Sequence, residues 1–141
     1  MTPDRFIIDT NVLVAALITR DRTSPTARIL DKMLNGTLVF LISPDLLAEY
    51  RNVLLRHRLR AAHKLSEAQI DTLLTEIVAN AIWCEPQDNP AEIAPDPGDR
   101  HLWLLLASNK SAALVTGDRL LLDIPRPASG ALAPAACLML L

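Results

Sequence analysis

Aromatic side chains are scarce in this chain: two Trp, one Tyr and two Phe among 141 residues. A surface that grips single strands by stacking bases on rings is therefore not expected. Charge of one sign is lacking too, because 14 Lys and Arg stand against 16 Asp and Glu for a net charge of -2. No global field draws a polyanion, so a nucleic-acid partner would have to be held by a local patch or through metal ions. The two cysteines, Cys84 and Cys137, have neither metal-ligand spacing nor the density of a disulfide framework, which suits a reducing compartment. No apolar run approaches the roughly 20 residues of a membrane span. The first residues, MTPDRFIID, lack the charged-then-apolar layout of a signal, and the expected location is the cytoplasm, with no membrane partner. No internal repeat or linker is visible, so residues 1–141 read as a single domain, long enough for a sizeable core. Also absent are a nucleophile elbow, a Gly-rich phosphate loop, a dinucleotide fingerprint, and His or Cys at zinc-ligand spacing.

What is present is a run of apolar strands that end in acids. Phe6, Ile7 and Ile8 form a short buried-strand pattern, and Asp9 follows at its carboxyl end. In an open α/β sheet that end is where ligands bind. Taken alone, Asp9, Thr10 and Asn11 also read as a capped strand-to-helix turn. Ser24-Pro25 opens a second helix with Ala27, Ile29, Leu30, Met33 and Leu34 on its apolar side, and Asn35-Gly36 stops it. Residues 38–42 (LVFLI) form a second strand, and Ser43-Pro44 repeats the cap-and-proline device. Strand, helices, strand and helix in alternation predict a parallel sheet.

The helix from Pro44 places Leu46, Leu47, Tyr50, Val53 and Leu54 within an arc of about 120°, with Glu49 on its border. A carboxylate there can lean back over the sheet edge toward Asp9, or be an ordinary solvated Glu. Arg51, Arg56, His57, Arg58, Arg60, His63 and Lys64 cluster toward the end of this helix. They read either as a solvated helix end favoured by the macrodipole or as a phosphate patch. A capping box at residues 66–69 opens a helix with Ile70, Leu73, Leu74, Ile77 and Val78 inward. Residues 81–84 (AIWC) predict a third strand, and residues 85–97, rich in proline and acid, a loop.

Asp99 then begins a helix in which Leu102, Trp103, Leu106 and Ala107 share its face. It either caps that helix or points into a pocket above the sheet, and capping accounts less well for Asp96 beside it. Residues 111–116 (SAALVT) predict a fourth strand, ended by Gly117-Asp118 much as Asp9 ends the first, with Thr116 placed to orient Asp118. A short edge strand around residues 130–133 and a helix from Pro134 complete the chain. Leu104 and Leu105 face away from Leu102, Trp103 and Leu106. A helix apolar nearly all round must be covered on both sides, which predicts a homodimer.

Asp9, Glu49, Asp99 and Asp118 thus fall at one edge of one sheet. Clustered carboxylates raise each other's pKa unless cations neutralise them, and an all-oxygen donor set points to one or two Mg2+ or Mn2+ ions. Such ions activate water and stabilise the leaving oxygen in phosphodiester hydrolysis.

The chain resembles the PIN-domain nucleases through FIIDTNVLVAAL with Asp9, SPDLLAEYRNVL with Glu49, DPGDRHLWLLLA with Asp96 and Asp99, and ALVTGDRLLL with Thr116 and Asp118. The pattern is most similar to the toxin branch of toxin-antitoxin modules, and the resemblance covers about residues 5–123. It implies a three-layer α/β/α fold with a parallel sheet ordered 3-2-1-4-5. It also implies Mg2+-dependent or Mn2+-dependent cleavage of single-stranded RNA, with a cognate antitoxin as partner. Asp9, Glu49, Asp99 and Asp118 would be the metal-binding catalytic acids, Asp96 an auxiliary one, and Asn11 and Ser43 polar groups that orient them. Gly98 stands where many relatives carry a further acid, and the tail after Asp123 is short for the family's last strand and helix. Arg51, Arg56, Arg58, Arg60 and Lys64 are the expected RNA contacts.

Two other readings remain. A haloacid-dehalogenase-like phosphoryl-transfer enzyme also places Asp after the first strand, but wants a second Asp where Asn11 stands. A non-catalytic PIN-like RNA-binding or partner-binding domain would be marked by loss of acids, and none of the four is missing.

Overall fold

The computed structural model describes residues 2–91, 94, 96–123 and 130–141. Residues 92, 93 and 95, within the expected acidic loop, lie outside the described residues. Each expected strand forms, most of them shorter than their apolar runs: β1 (Arg5–Ile8), β2 (Leu41–Ile42), β3 (Ile82–Trp83), β4 (Ala112–Val115) and β5 (Ala131–Leu132). All pairings are parallel, β1 with β4, β4 with β5 and β2 with β3. The seam between β1 and β2 narrows to one bridge, Phe6 to Phe40, where the Phe6 N–H donates to the Val39 carbonyl at 3.0 Å. Across that seam the order is 3-2-1-4-5, the order the resemblance implies. Phe6, Ile7, Ile8 and all of β4 are buried. Successive strand residues face opposite sides, so burial of consecutive residues means that both faces are covered, as in other α/β proteins.

The helices are α1 (Thr10–Ile18), α2 (Pro25–Leu34), α3 (Pro44–Leu54), α4 (His57–His63), α5 (Glu67–Asn80), α6 (Arg100–Ser108), α7 (Arg119–Asp123) and α8 (Pro134–Leu138), with a 3-10 turn at Pro97–Asp99. Their starts follow the local chemistry. Ser24 accepts from the Ala27 amide at 3.3 Å and Ser43 from the Leu46 amide at 3.1 Å, each just before a proline. Ser66 and Gln69 complete the expected capping box. Such caps each contribute about 1 kcal/mol.

Two expectations are corrected. The helix from Pro44 does not run on through the basic cluster but ends at Leu54, and α4 starts separately at His57. The break is held by His63, which is buried. Its Nδ1 accepts from the Leu65 amide at 3.0 Å, which leaves Nε2 to donate to the Leu54 carbonyl at 2.9 Å. An imidazole thus closes the last turn of α3, and His63 is withdrawn from any phosphate patch. Second, Leu105 is fully buried and Leu104 only 8% exposed within the single chain, because α6 packs against β1, β4 and α3. The apolar circumference of α6 therefore needs no second subunit to cover it, and the sequence argument for a dimer does not hold there.

Candidate active site

Asp9 leaves β1 with its amide still bound to the Val115 carbonyl at 2.9 Å, so its position is fixed by the β1–β4 ladder. Its carboxylate caps α1, with Oδ1 accepting from the Thr10 amide at 2.8 Å. The other oxygen accepts from the Thr116 hydroxyl at 2.8 Å and from the Asn11 side-chain amide at 3.3 Å. Asn11 also reaches β4's end through its Oδ1, which accepts from the Gly117 amide at 3.0 Å. The turn is a capped one, as that reading expects, and the carboxylate that caps it is buried. Burial raises the Asp9 pKa above its ordinary value, the Thr116 and Thr10 bonds oppose that rise, and the nearby charges of Glu49 and Asp118 add to it.

Thr116 is fully buried, and its hydroxyl bonds Asp118 as expected while also holding Asp9. Its hydroxyl proton goes to Asp9, and its oxygen accepts the backbone amide, not the carboxylate, of Asp118 at 3.0 Å. Asp118 Oδ1 in turn accepts from the Leu120 amide at 3.0 Å. One threonine thereby ties together the two strand-ending acids, Asp9 and Asp118, from opposite ends of the chain.

Glu49 reaches the same edge from α3. Its Oε2 accepts from the Thr10 hydroxyl at 2.5 Å and lies 3.6 Å from His101 Nε2. The nearby His101 ring is the main cause that lowers the Glu49 pKa, partly offset by burial, with the Thr10 bond lowering it further. The neighbouring Tyr50 is fully buried and donates its hydroxyl to the Ile8 carbonyl, so α3 is pinned to the last residue of β1. Burial pushes that phenol well above its ordinary range.

Asp99 occupies the position before α6 but makes no capping bond with its side chain. Partial burial raises its pKa, with further increases from Asp9, Asp96 and Glu49. Asp96 is exposed and caps the 3-10 turn by accepting the Gly98 amide at 2.9 Å. Ser43 is committed to capping α3 and makes no bond to these acids.

Asp9, Thr10, Asn11, Asp99 and Asp118 line one cavity of about 400 Å³. Glu49, Asn52, Arg56, Arg100 and His101 line an adjoining groove of about 500 Å³, and Val53 borders both. Among the described residues no three His, Cys, Asp or Glu side chains stand close enough to form a ready-made metal cage. The donors are nevertheless all oxygen, mutually repelling and partly desolvated. That set fits a Mg2+-like ion, which keeps several waters and takes one or two carboxylates plus substrate oxygens rather than a closed protein cage.

The basic residues separate. Arg51 is engaged on α5 by Asp71 at 2.8 Å and Glu67 at 2.9 Å. Arg60 and Lys64 line a different cavity with His57 and Gln69, whereas Arg56 lies in the groove beside Glu49. Sequence reasoning missed the roles of Thr10, Tyr50 and His101. His101 carries a readable signal: it shares a helical face with Leu104 and Leu105, a polar residue heading an apolar stripe.

No curated protein matches the chain. A family model described as PIN domain matches residues 5–120, a span holding all five acids of this edge. PIN domains are generally nucleases that use divalent metal ions such as Mg2+. The chain belongs to the PIN domain family.

Proposed function

We propose that this chain is a Mg2+-dependent or Mn2+-dependent endoribonuclease that cleaves single-stranded RNA, acting as the toxin of a toxin-antitoxin module in the cytoplasm. The observation that carries the nuclease reading is the joining of Asp9 and Asp118 through Thr116, with Asp99 facing the same cavity. Asp9, Glu49, Asp99 and Asp118 would hold the ion, with Asp96 as an auxiliary acid. A bound ion would lower the pKa of a water and neutralise charge on the phosphate.

The chain's own groups supply the rest. Thr116 and the Thr10 amide fix the Asp9 carboxylate, and Thr10 fixes Glu49. Asp99, which faces this cavity and makes no capping bond with its side chain, is the carboxyl left free to take a proton from the attacking water. Arg56 in the adjoining groove is placed to meet a phosphate of the strand. Asn11 supplies an amide where a phosphoryl-transfer enzyme of the dehalogenase type wants a second carboxylate, and it is committed to Asp9 and Gly117.

A homodimer and an antitoxin complex belong to the same proposal. Their support is the exposed apolar pair Ile82 and Trp83 on the outermost strand β3, at 39% and 47% exposure. The test of function is one panel: single-stranded RNA, single-stranded DNA and a phosphate monoester, each with Mn2+ and with EDTA. RNA cleavage that needs Mn2+ and is lost in Asp9→Asn is expected. Monoester hydrolysis instead, or cleavage unaffected by EDTA and by Asp9→Asn, overturns the reading.

A further inference from the structure

His101 is the histidine at this edge that the acidic pattern does not account for. Its Nε2 lies 3.6 Å from Glu49 Oε2, and its Nδ1 is buried with no hydrogen-bond partner among the described residues. An unpaired buried polar atom costs about 1–3 kcal/mol, so a leucine at the head of the Leu104–Leu105 face would serve packing better. A polar group kept against that cost calls for a task other than packing. The Thr10 hydroxyl and His101 both approach the same oxygen of Glu49, one from α1 and the other from α6. Glu49 sits on an exposed helix side, with a side chain 33% exposed and several free torsions. The Thr10 hydrogen bond and the His101 ring 3.6 Å away together restrict those torsions at Oε2 and leave Oε1 outside both contacts.

We propose that His101 is a positioning residue, which with Thr10 clamps one oxygen of Glu49 and so presents the other toward the acidic cavity. The inference rests on the proposed metal-dependent reading for its functional consequence, though not for the clamp itself. The clamp requires the proton on Nε2 and leaves Nδ1 as a bare lone pair. Gln places an amide nitrogen near the position of Nε2 and can repeat the contact, whereas Leu fills the volume and cannot.

Three measurements test this. In the metal-free protein, nitrogen NMR should find His101 with its proton on Nε2, and a proton on Nδ1 alone overturns the clamp whatever the protein's activity. Calorimetric Mn2+ titration should show roughly 10-fold weaker binding in His101→Leu, the usual scale for a group that orients a metal ligand, with recovery in His101→Gln. The melting temperature of metal-free His101→Leu should equal or exceed that of the parent, because the unpaired nitrogen is gone. A lower melting temperature with unchanged Mn2+ affinity makes His101 a packing residue and overturns the proposal. Nε2 protonation in a parent protein that binds no Mn2+ upholds the clamp and overturns the metal-dependent reading instead.

Discussion

The Thr116 hydroxyl donates to the Asp9 carboxylate at 2.8 Å while accepting the Asp118 amide at 3.0 Å. Removing it in Thr116→Val keeps the shape but leaves a buried carboxylate short of one donor. A hydrogen bond to a charged group contributes about 1.5–3 kcal/mol, so stability should fall by that order, and cleavage by roughly 10–100-fold. Single-turnover cleavage with Mn2+ and a chemical denaturation curve read both effects. Parent-like values in both would mean that the Thr116 bond does nothing for Asp9.

Asp9→Asn and Asp118→Asn should each lower RNA cleavage by orders of magnitude, since each removes a charged oxygen while barely changing volume. Mn2+ should raise the melting temperature of the parent and do little for an Asp9→Asn, Asp99→Asn double variant. Equal shifts in the two proteins would place the ion elsewhere.

The acidic edge also has a pH signature in the metal-free protein. The folded pKa of Asp9 is raised from 3.8 by burial, so between the unfolded and folded values the native state binds more protons. Stability carried by this group therefore falls as pH rises through that window. Above the window the penalty is complete, and below 3.8 it is absent. Asp9→Asn, which cannot ionise, should gain on the parent as pH rises through the raised value. Denaturation curves that stay parallel across the acid range would contradict the burial argument.

Arg56 and Arg51 should behave differently despite lying five positions apart. Arg56→Gln should weaken RNA binding similarly across sequences and reduce the salt slope by about 1. Arg51→Gln should leave binding alone and change stability little, because its ion pairs with Asp71 and Glu67 are exposed and screened by solvent. The triple change of Arg56, Arg58 and Arg60 to Gln tests the wider cluster. An unchanged salt slope there would leave it as a solvated helix.

Oligomeric state is checked by light scattering of the parent and of Trp83→Glu. A micromolar dimer that Trp83→Glu converts to monomer is expected. A monomeric parent counts against self-association through β3.

The ends of the strands were legible because an apolar run followed by Asp is a local pattern, and the caps at Ser24, Ser43 and Ser66 are local as well. What escaped the sequence depends on distance. Thr10 and Glu49 are 39 positions apart, and no period relates them. The break after Leu54 was hidden because a side chain nine positions later closes it. Arg51 looked like a member of a basic patch because its acidic partners belong to α5, which only the packing of α3 on α5 brings near. Leu104 and Leu105 looked uncovered for the same reason: helical periodicity gives a face but not what lies against it.

Asp9, Asp96 and Asp118 each hold a backbone amide of the turn that follows them, those of Thr10, Gly98 and Leu120. Three of the acids are therefore turn-builders in their own right, and the chain cannot shed them freely. A descendant that abandoned hydrolysis would still need an oxygen acceptor at these positions, which Asn or Ser supplies and Ala or Val does not. Loss of chemistry in this lineage should therefore be written as Asp exchanged for Asn or Ser, leaving the turns in place and the edge without charge.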